Sequence, residues 1–235
     1  MASSSGPEGP SSLLGSTVRR SFTVGRMNLV IGTGVSLLYG VILSVIPGGS
    51  FATVLPLLLP VMGSIGGIGA MLVFTNDRTK GVFEYLIAYG VPPQQIFLNF
   101  LGAAFVLLTV VNVTTLFAAV GIRLALGYGV PLVFAESVLA YSLPMSYGAT
   151  ALCTSAGMYW TSLSSPRQGM NSPLGLLPIV GVAPGLVTLL AAEAAGPTLG
   201  VYVAIGAVVL VVLLAVILLA LESRLMPRER LLSPA

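Results

Sequence analysis

Six long apolar stretches follow one another along the chain, separated by short polar segments. They cover residues 28–46, 51–75, 96–120, 132–160, 173–192 and 198–221. A helix needs about 20 predominantly apolar residues to cross the hydrocarbon core of a bilayer, and each stretch is close to that length or longer. None alternates in polarity as the strands of a transmembrane barrel do. The pattern therefore predicts an all-α, polytopic membrane protein with six transmembrane helices.

The N-terminal segment is polar and differs from the rest of the chain. Residues 1–15 are mostly Ser, Gly and Pro with little apolar surface to bury, which predicts a disordered tail ahead of a membrane domain over residues 16–235. The tail lacks the basic start and apolar core of a signal peptide. Residues 16–27 mix three arginines with apolar residues. They form either an amphipathic helix on the membrane surface or the positively charged flank of the first span.

The positive charges indicate the orientation of the six predicted spans. With the N-terminus in the cytoplasm, nine of the ten Lys and Arg residues fall in cytoplasmic segments, and Arg123 alone falls outside. Cytoplasmic loops of membrane proteins carry such an excess of Lys and Arg. We therefore predict a multi-pass plasma-membrane protein with both termini in the cytoplasm.

Composition narrows the possible functions. Only 7% of the residues are charged, against roughly 25% in soluble domains. The net charge of +3 does not indicate a nucleic-acid partner, because the cations flank apolar stretches and form no basic patch. The absence of His excludes His-dependent zinc and Ser–His catalysis, and no phosphate-binding GxxxxGK[ST] loop occurs. We expect no enzyme activity, metal or cofactor on this chain.

The densest cluster of charges lies between the second and third apolar stretches, in the segment NDRTKGVFEYLIAYGVPP over residues 76–93. Asp77 is a typical N-cap, Gly90 suits the left-handed position just past a helix end, and Pro92 follows closely. We therefore predict a discrete cytoplasmic helix of about three turns over residues 77–90, too short to span the bilayer. By composition alone it either lies on lipid or enters a groove on a soluble partner.

This segment resembles a known family. The run DRTKGVFEYL over residues 77–86, with the Pro-containing turn and Ile over residues 91–96, resembles the coupling helix of type-2 ABC export permeases. In that family the acid–basic–Gly–x–x–Glu run also follows the second span. The segment SSPRQGMN over residues 164–171 and Pro178 agree with the family pattern after the fourth span. The resemblance covers roughly residues 16–225.

The resemblance implies a permease subunit of an ATP-driven transporter. Such permeases pair with a second permease chain, identical or homologous, and dock two copies of a separate ABC ATPase, which carries the ATP and Mg. Gly81 and Glu84 occupy the Gly and Glu of the motif, so the ATPase-contact role passes to them and to their helical neighbours. The predicted contact residues are Asp77, Arg78, Lys80, Gly81, Glu84 and Tyr85.

The sequence also departs from this family and leaves alternatives open. Residues 99–100 are Asn-Phe where the family often has Gly-Lys, and only about six residues near 193–198 are free for the outer re-entrant helices that many members have. The spacing of Glu84 and Gly90 also fits the coupling loop of ABC importers. A secondary carrier, ion-coupled or facilitative, would work without an ATPase. Such a carrier usually buries ionisable residues near the bilayer midplane, where this sequence predicts none.

Small polar residues on the third and fourth apolar stretches are candidates for a translocation path. Ser142, Ser146, Thr150 and Thr154 repeat every four residues, so they share one broad side of a helix. They either hold helices together or, with Asn112, line a path for substrate. The candidate path residues are Asn112, Ser142, Ser146 and Thr150. The apolar composition favours a lipid-like or amphipathic substrate that moves outward.

The predicted topology can be tested by labelling single cysteines. In a Cys153→Ala background, cysteines at Ser3 and Ser233 should resist a membrane-impermeant maleimide in intact cells, because both termini are predicted to be cytoplasmic. A cysteine at Gly48, in the first outer loop, should react. Rapid labelling of either terminus from outside would overturn the orientation.

Overall fold

The computed structural model describes residues 10–46, 50–163 and 177–225, and within these ranges the regular structure is entirely helical. A π-helical segment connects the sixth and seventh helices, so that they form one continuous rod. The elements are α1 (Pro10–Val24), α2 (Arg26–Val45), α3 (Ser50–Thr79), α4 (Val82–Ala88), α5 (Pro93–Ala125), α6 (Leu132–Ser137), the π-helical segment (Val138–Ser142), α7 (Leu143–Leu163) and α8 (Leu177–Leu225).

The predicted apolar stretches coincide with helix, apart from Ile46, which is the extended C-cap of α2, and residues 173–176, which lie outside the described residues. The last two stretches are both part of α8, and the expected short loop between them is reduced to a break at Gly196, where φ is 81° and ψ is 174°. Pro197 excludes the helical ψ range for the residue before it, and only glycine adopts this positive φ without strain. The Gly196-Pro197 pair thus separates the two apolar stretches without a longer loop.

Length and composition identify the helices that could cross a membrane. Two segments among the described residues meet the requirement, Pro93–Ala125 and Leu199–Leu221. The bent pair Leu13–Val24 and Leu29–Val45 provides a third if it counts as one span. The described residues are therefore all-helical, with two or three segments suited to a bilayer.

The N-terminal helix begins earlier than predicted. Residues 10–15, expected to belong to a disordered tail, form the start of α1, and residues 1–9 lie outside the described ranges. Leu14 packs closely against Gly102 of α5, and this tertiary contact favours the longer helix. The approach is so close that a Cβ added to Gly102 would lie 3.0 Å from a methyl group of Leu14. Val18 packs against Ala70 of α3 and against Ala103 and Ala104 of α5. The predicted segment 16–27 is thus largely helical, and its apolar side lies on α3 and α5.

The long helices α2, α3, α5 and α7 alternate in direction as they follow one another along the chain. Ser44 donates a hydrogen bond to the carbonyl of Ala119 at 2.9 Å, and Gly40, one turn earlier on α2, lies against Thr115. The contacts therefore advance together along α2 and α5, so these two helices are parallel. On α3, the contacts with α5 run the opposite way, from Phe51 near Ala119 to Phe74 near Phe100.

The helix α7 runs parallel to α3. Ser142 contacts Pro56 at one end of the pair, and Met158 packs in the same cluster as Phe74 at the other. Thus α2 and α5 point one way, while α3 and α7 point the other. Successive crossings of a membrane would alternate in this manner.

An ion pair joins α1 to the end of α3. The guanidinium of Arg20 contacts the carboxylate of Asp77, which is only 2% exposed, whereas the Arg20 side chain is 41% exposed. Burial raises the pKa of Asp77, and the charges of Arg20 and Lys80, with the hydrogen bond from Arg20, act against that increase. Burial also lowers the pKa of the neighbouring Arg78. The carboxylate at this position is thus stabilised mainly by Arg20.

Replacing Arg20 by Gln should destabilise the protein in a pH-dependent way. Burial raises the pKa of Asp77 in the folded state, so the neutral acid contributes stability at low pH, and this contribution is lost as the pH rises through the folded-state pKa. Above that pKa the buried carboxylate is charged, and Arg20 offsets the cost of burying this charge. We expect a loss of about 1–2 kcal/mol near neutral pH, since Arg20 is partly exposed, and a smaller loss in acid.

Thermal unfolding across a pH series would measure this effect. The double variant Arg20→Gln/Asp77→Asn is the control, because it has no carboxyl group at position 77 and should lose the additional pH dependence. An equal loss of stability for Arg20→Gln at every pH would contradict the pairing.

Candidate functional site

The short helix between α3 and α5 is smaller than predicted. The expected helix over residues 77–90, with Asp77 as its N-cap, is wrong: α3 continues through Thr79, and α4 covers only the seven residues Val82–Ala88. Asp77 cannot cap α4 because it lies in the last turns of α3, where its carboxylate faces Arg20. The chain instead turns at Gly81, whose φ of 68° is a left-handed conformation that glycine accommodates.

The end of α4 agrees with the prediction. Gly90 has a φ of 83°. Its N–H donates to the carbonyl of Ile87 at 3.0 Å, and the N–H of Val91 donates to Leu86 at 2.9 Å. These two bonds form the Schellman arrangement that commonly ends a helix. Pro92 then has extended backbone angles and precedes the first turn of α5, so the left-handed Gly90 and the stop at Pro92 are confirmed.

Aromatic contacts fix α4 to the rest of the bundle. Phe83 is buried, and its ring centroid lies 5.0 Å from that of Phe74 on α3 and 5.9 Å from that of Phe100 on α5. Ile96 and Met158 belong to the same cluster, so α7 also takes part. Aromatic pairs at these separations add to the hydrophobic energy of burial. Any displacement of α4 must therefore move the ends of α3, α5 and α7.

The opposite side of α4 is open. Tyr85 is 70% exposed, and Tyr89, just past the helix, is 85% exposed. Glu84 and Lys80 are exposed as well. Tyr89 is not one of the predicted contact residues. Its position directly before the helix-ending Gly90 is the sequence signal that would have placed its side chain at the end of α4. Two tyrosines and two opposite charges on and beside α4 are thus accessible, and we call this group the α4 face.

Two of the predicted contact residues do not belong to the α4 face. Asp77 and Arg78 are both buried, because the turn of α3 that carries them lies beneath α1. Lys80, Glu84 and Tyr85 have accessible side chains, and Gly81 supplies the turn that orients them. The acid–basic pair that contributed to the resemblance therefore has a structural role in this fold.

Ser142, a predicted path residue, makes a structural hydrogen bond. Its hydroxyl donates to the carbonyl of Pro56 on α3. In an uninterrupted helix that carbonyl would accept the N–H of the residue four positions later, but this residue is Pro60, which has no N–H. Ser142 thus replaces the hydrogen bond that Pro60 removes, and at this position it holds α3 and α7 together.

The other predicted path residues are buried without such partners. Ser146, Thr150 and Asn112 are at most 2% exposed, and their side-chain polar atoms make no hydrogen bond in the part of the chain that the structure describes. A buried polar group left without a partner costs roughly 1–3 kcal/mol. Such groups need an occupant or water to bond to.

The helix registers indicate where these groups lie. Ser146 is one turn beyond the contact between Ser142 and Pro56, on the side of α7 that faces α3. The pairing of Gly40 with Thr115 predicts that Ser36, also buried and without a hydrogen bond, is level with Asn112. We call the group of Ser36, Asn112, Ser146 and Thr150 the polar band.

Comparison with protein-family models, with curated proteins and with solved structures finds no match for this chain. Residues 164–171, which contribute to the resemblance in sequence, lie outside the described ranges. Among the described residues, no three His, Cys, Asp or Glu side chains come together as a metal site would require.

Replacing Ser142 by Ala should destabilise the protein by about 1–2 kcal/mol, because the carbonyl of Pro56 would then be buried without a hydrogen-bond donor. A Pro60→Ala background restores an N–H to α3, so the loss caused by Ser142→Ala should largely disappear there. Thermal unfolding of the four proteins in the cycle measures this coupling.

Thr114→Ala is a suitable control, since the Thr114 hydroxyl donates only to carbonyls of its own helix. Its effect should stay within about 0.5 kcal/mol. Additive effects of Ser142→Ala and Pro60→Ala would show that the hydroxyl does not compensate for the proline.

Proposed function

We propose that this chain is the membrane-spanning permease subunit of an ATP-driven transporter of the type-2 ABC export kind. It acts as a dimer with an identical or homologous chain, and the α4 face binds a separate ATPase subunit. The observation that carries the proposal is the combination of a firmly anchored α4 with an open tyrosine- and charge-bearing side.

The fold supports a six-span arrangement. Helix covers nearly all of the described part of the six apolar stretches, and α2, α3, α5 and α7 alternate in direction as successive crossings would. Much of α8 is apolar and exposed, including Val201, Leu210 and Ile217. Such a surface would be costly in water and suits lipid or a second permease chain.

The position of α4 supports the coupling role. Arg20, Asp77 and Lys80 lie near it, at the end of the bundle that the positive charges predict to be cytoplasmic. Tyrosine is enriched among the residues that dominate binding energy at protein interfaces, and the α4 face has two. A partner that moves these tyrosines would transmit force through Phe83 into three long helices.

The polar band supports a role in transport. Asn112, Ser146 and Thr150 provide neutral hydrogen-bonding groups inside the bundle. Neutral groups suit an amphipathic or lipid-like substrate, whereas an ion-coupled carrier typically uses buried acids or bases near the midplane. We therefore rank the ATP-driven exporter ahead of a secondary carrier and of an ABC importer.

Substitutions on the α4 face should separate the ATPase from a folded permease. Tyr85→Ala should weaken ATPase binding about 30-fold, the effect of losing an interface residue worth about 2 kcal/mol, and Glu84→Lys should weaken it by reversing a charge. Both side chains are exposed, so the melting temperature of the isolated permease should hardly change.

The measurement is quantitative co-purification of the native complex in mild detergent, together with transport-stimulated ATP hydrolysis in proteoliposomes. Tyr39→Ala is the matched control, because Tyr39 is also exposed but lies on α2, level with the far half of α5. The proposal fails if no ATPase co-purifies with the wild-type chain, or if Tyr85→Ala and Tyr39→Ala bind it equally well.

A further inference from the structure

Arg123 has an unusual environment at the end of the bundle opposite α4. It lies in the last turn of α5 and is only 7% exposed. Its Nε donates a hydrogen bond to the carbonyl of Gly129 at 3.1 Å. The guanidinium carbon is 4.4 Å from the ring centroid of Phe51 and 5.5 Å from that of Tyr128. The cation thus lies between two aromatic rings, beneath the loop that follows α5.

The charge of Arg123 has no carboxylate partner among the residues whose side chains the structure describes. Glu136 on α6 is exposed and forms no ion pair with it. One terminal nitrogen of the guanidinium, Nη1, is buried and makes no hydrogen bond in the described part of the chain. A buried cation is costly unless it is paired and hydrogen-bonded.

The contacts that are present compensate only part of this cost. The negative end of the α5 dipole and the two rings each favour a cation at this place. Neither supplies an acceptor for the Nη1 hydrogens. The other cations with described side chains lie on α1, near the start of α2 and between α3 and α4, toward the opposite end of the bundle. They are Arg19, Arg20, Arg26, Arg78 and Lys80.

We propose that Arg123 anchors a binding site for the phosphate group of an amphipathic molecule at this end of the bundle. A guanidinium offers parallel N–H donors that match two phosphate oxygens, and a phosphate supplies both the missing charge and the missing acceptor. Exposed apolar and aromatic side chains adjoin Arg123, including Leu124, Leu126 and Tyr128. They provide a surface for the apolar part of the same molecule.

The site does not depend on the coupling role of α4. It requires a phosphate-bearing ligand, which is either the head group of a membrane lipid or a free phosphate anion. The competing explanation is that Arg123 only holds the loop through Gly129. In that case its replacement would lower stability by the same amount whether or not phosphate is present.

Ligand-induced stabilisation distinguishes these possibilities. The full chain, purified in an uncharged detergent, is titrated separately with short-chain phosphatidylglycerol and with inorganic phosphate, and its melting temperature is measured. Stabilisation by the lipid alone supports a lipid head-group site, and stabilisation by both ligands supports a phosphate site open to free anions. No stabilisation by either ligand overturns the proposal.

Two variants test the role of Arg123 itself. Arg123→Gln should abolish the ligand-induced shift, and Arg123→Lys, which keeps the charge and loses the fork, should weaken the apparent affinity about tenfold. The lysine variant keeps the test decisive if the glutamine variant does not fold. Arg19→Gln, which removes an exposed arginine from α1, is the matched control and should respond as the wild type does. A wild-type shift in Arg123→Gln, or wild-type affinity in Arg123→Lys, would also overturn the proposal.

Discussion

The rest of the bundle depends on the hydrogen bond that the Ser142 hydroxyl donates to the carbonyl of Pro56 in α3. Every other helix contacts α3, so an irregularity in α3 would affect them all. Two prolines interrupt its backbone hydrogen bonding, and an apolar surrounding provides no water to replace a missing donor. The hydroxyl from the π-helical segment supplies one locally, and it joins α3 to α7 at the same time.

The two ends of the bundle handle buried charge differently. Asp77 has Arg20 as its partner, and this pair connects α1 to α3 directly behind α4. Arg123, in contrast, contacts aromatic rings and one loop carbonyl, and no carboxylate pairs with it among the side chains that the structure describes. A paired charge stabilises the scaffold that supports α4. We assign the buried charge of Arg123 to the proposed phosphate site.

The interior between the two ends also divides its polar groups by role. Ser142 and Ser44 donate across helix interfaces and hold the bundle together. Asn112, Ser146 and Thr150 make no such bonds in the described structure, and we assign them to the proposed path. The distinction matters because hydroxyls of both kinds have the same spacing along the sequence, and only their partners separate them.

The all-helical class, the positions of the long helices and the left-handed Gly90 at the end of α4 follow from the order of the amino acids. They arise from apolar length and from the backbone preferences of Gly and Pro, which act locally. Three features required the folded bundle: Asp77 pairs with Arg20 instead of capping α4, Leu14 extends α1 into the expected tail, and Arg123 is buried. Each of these outcomes depends on a residue distant in sequence, whose approach no local pattern records.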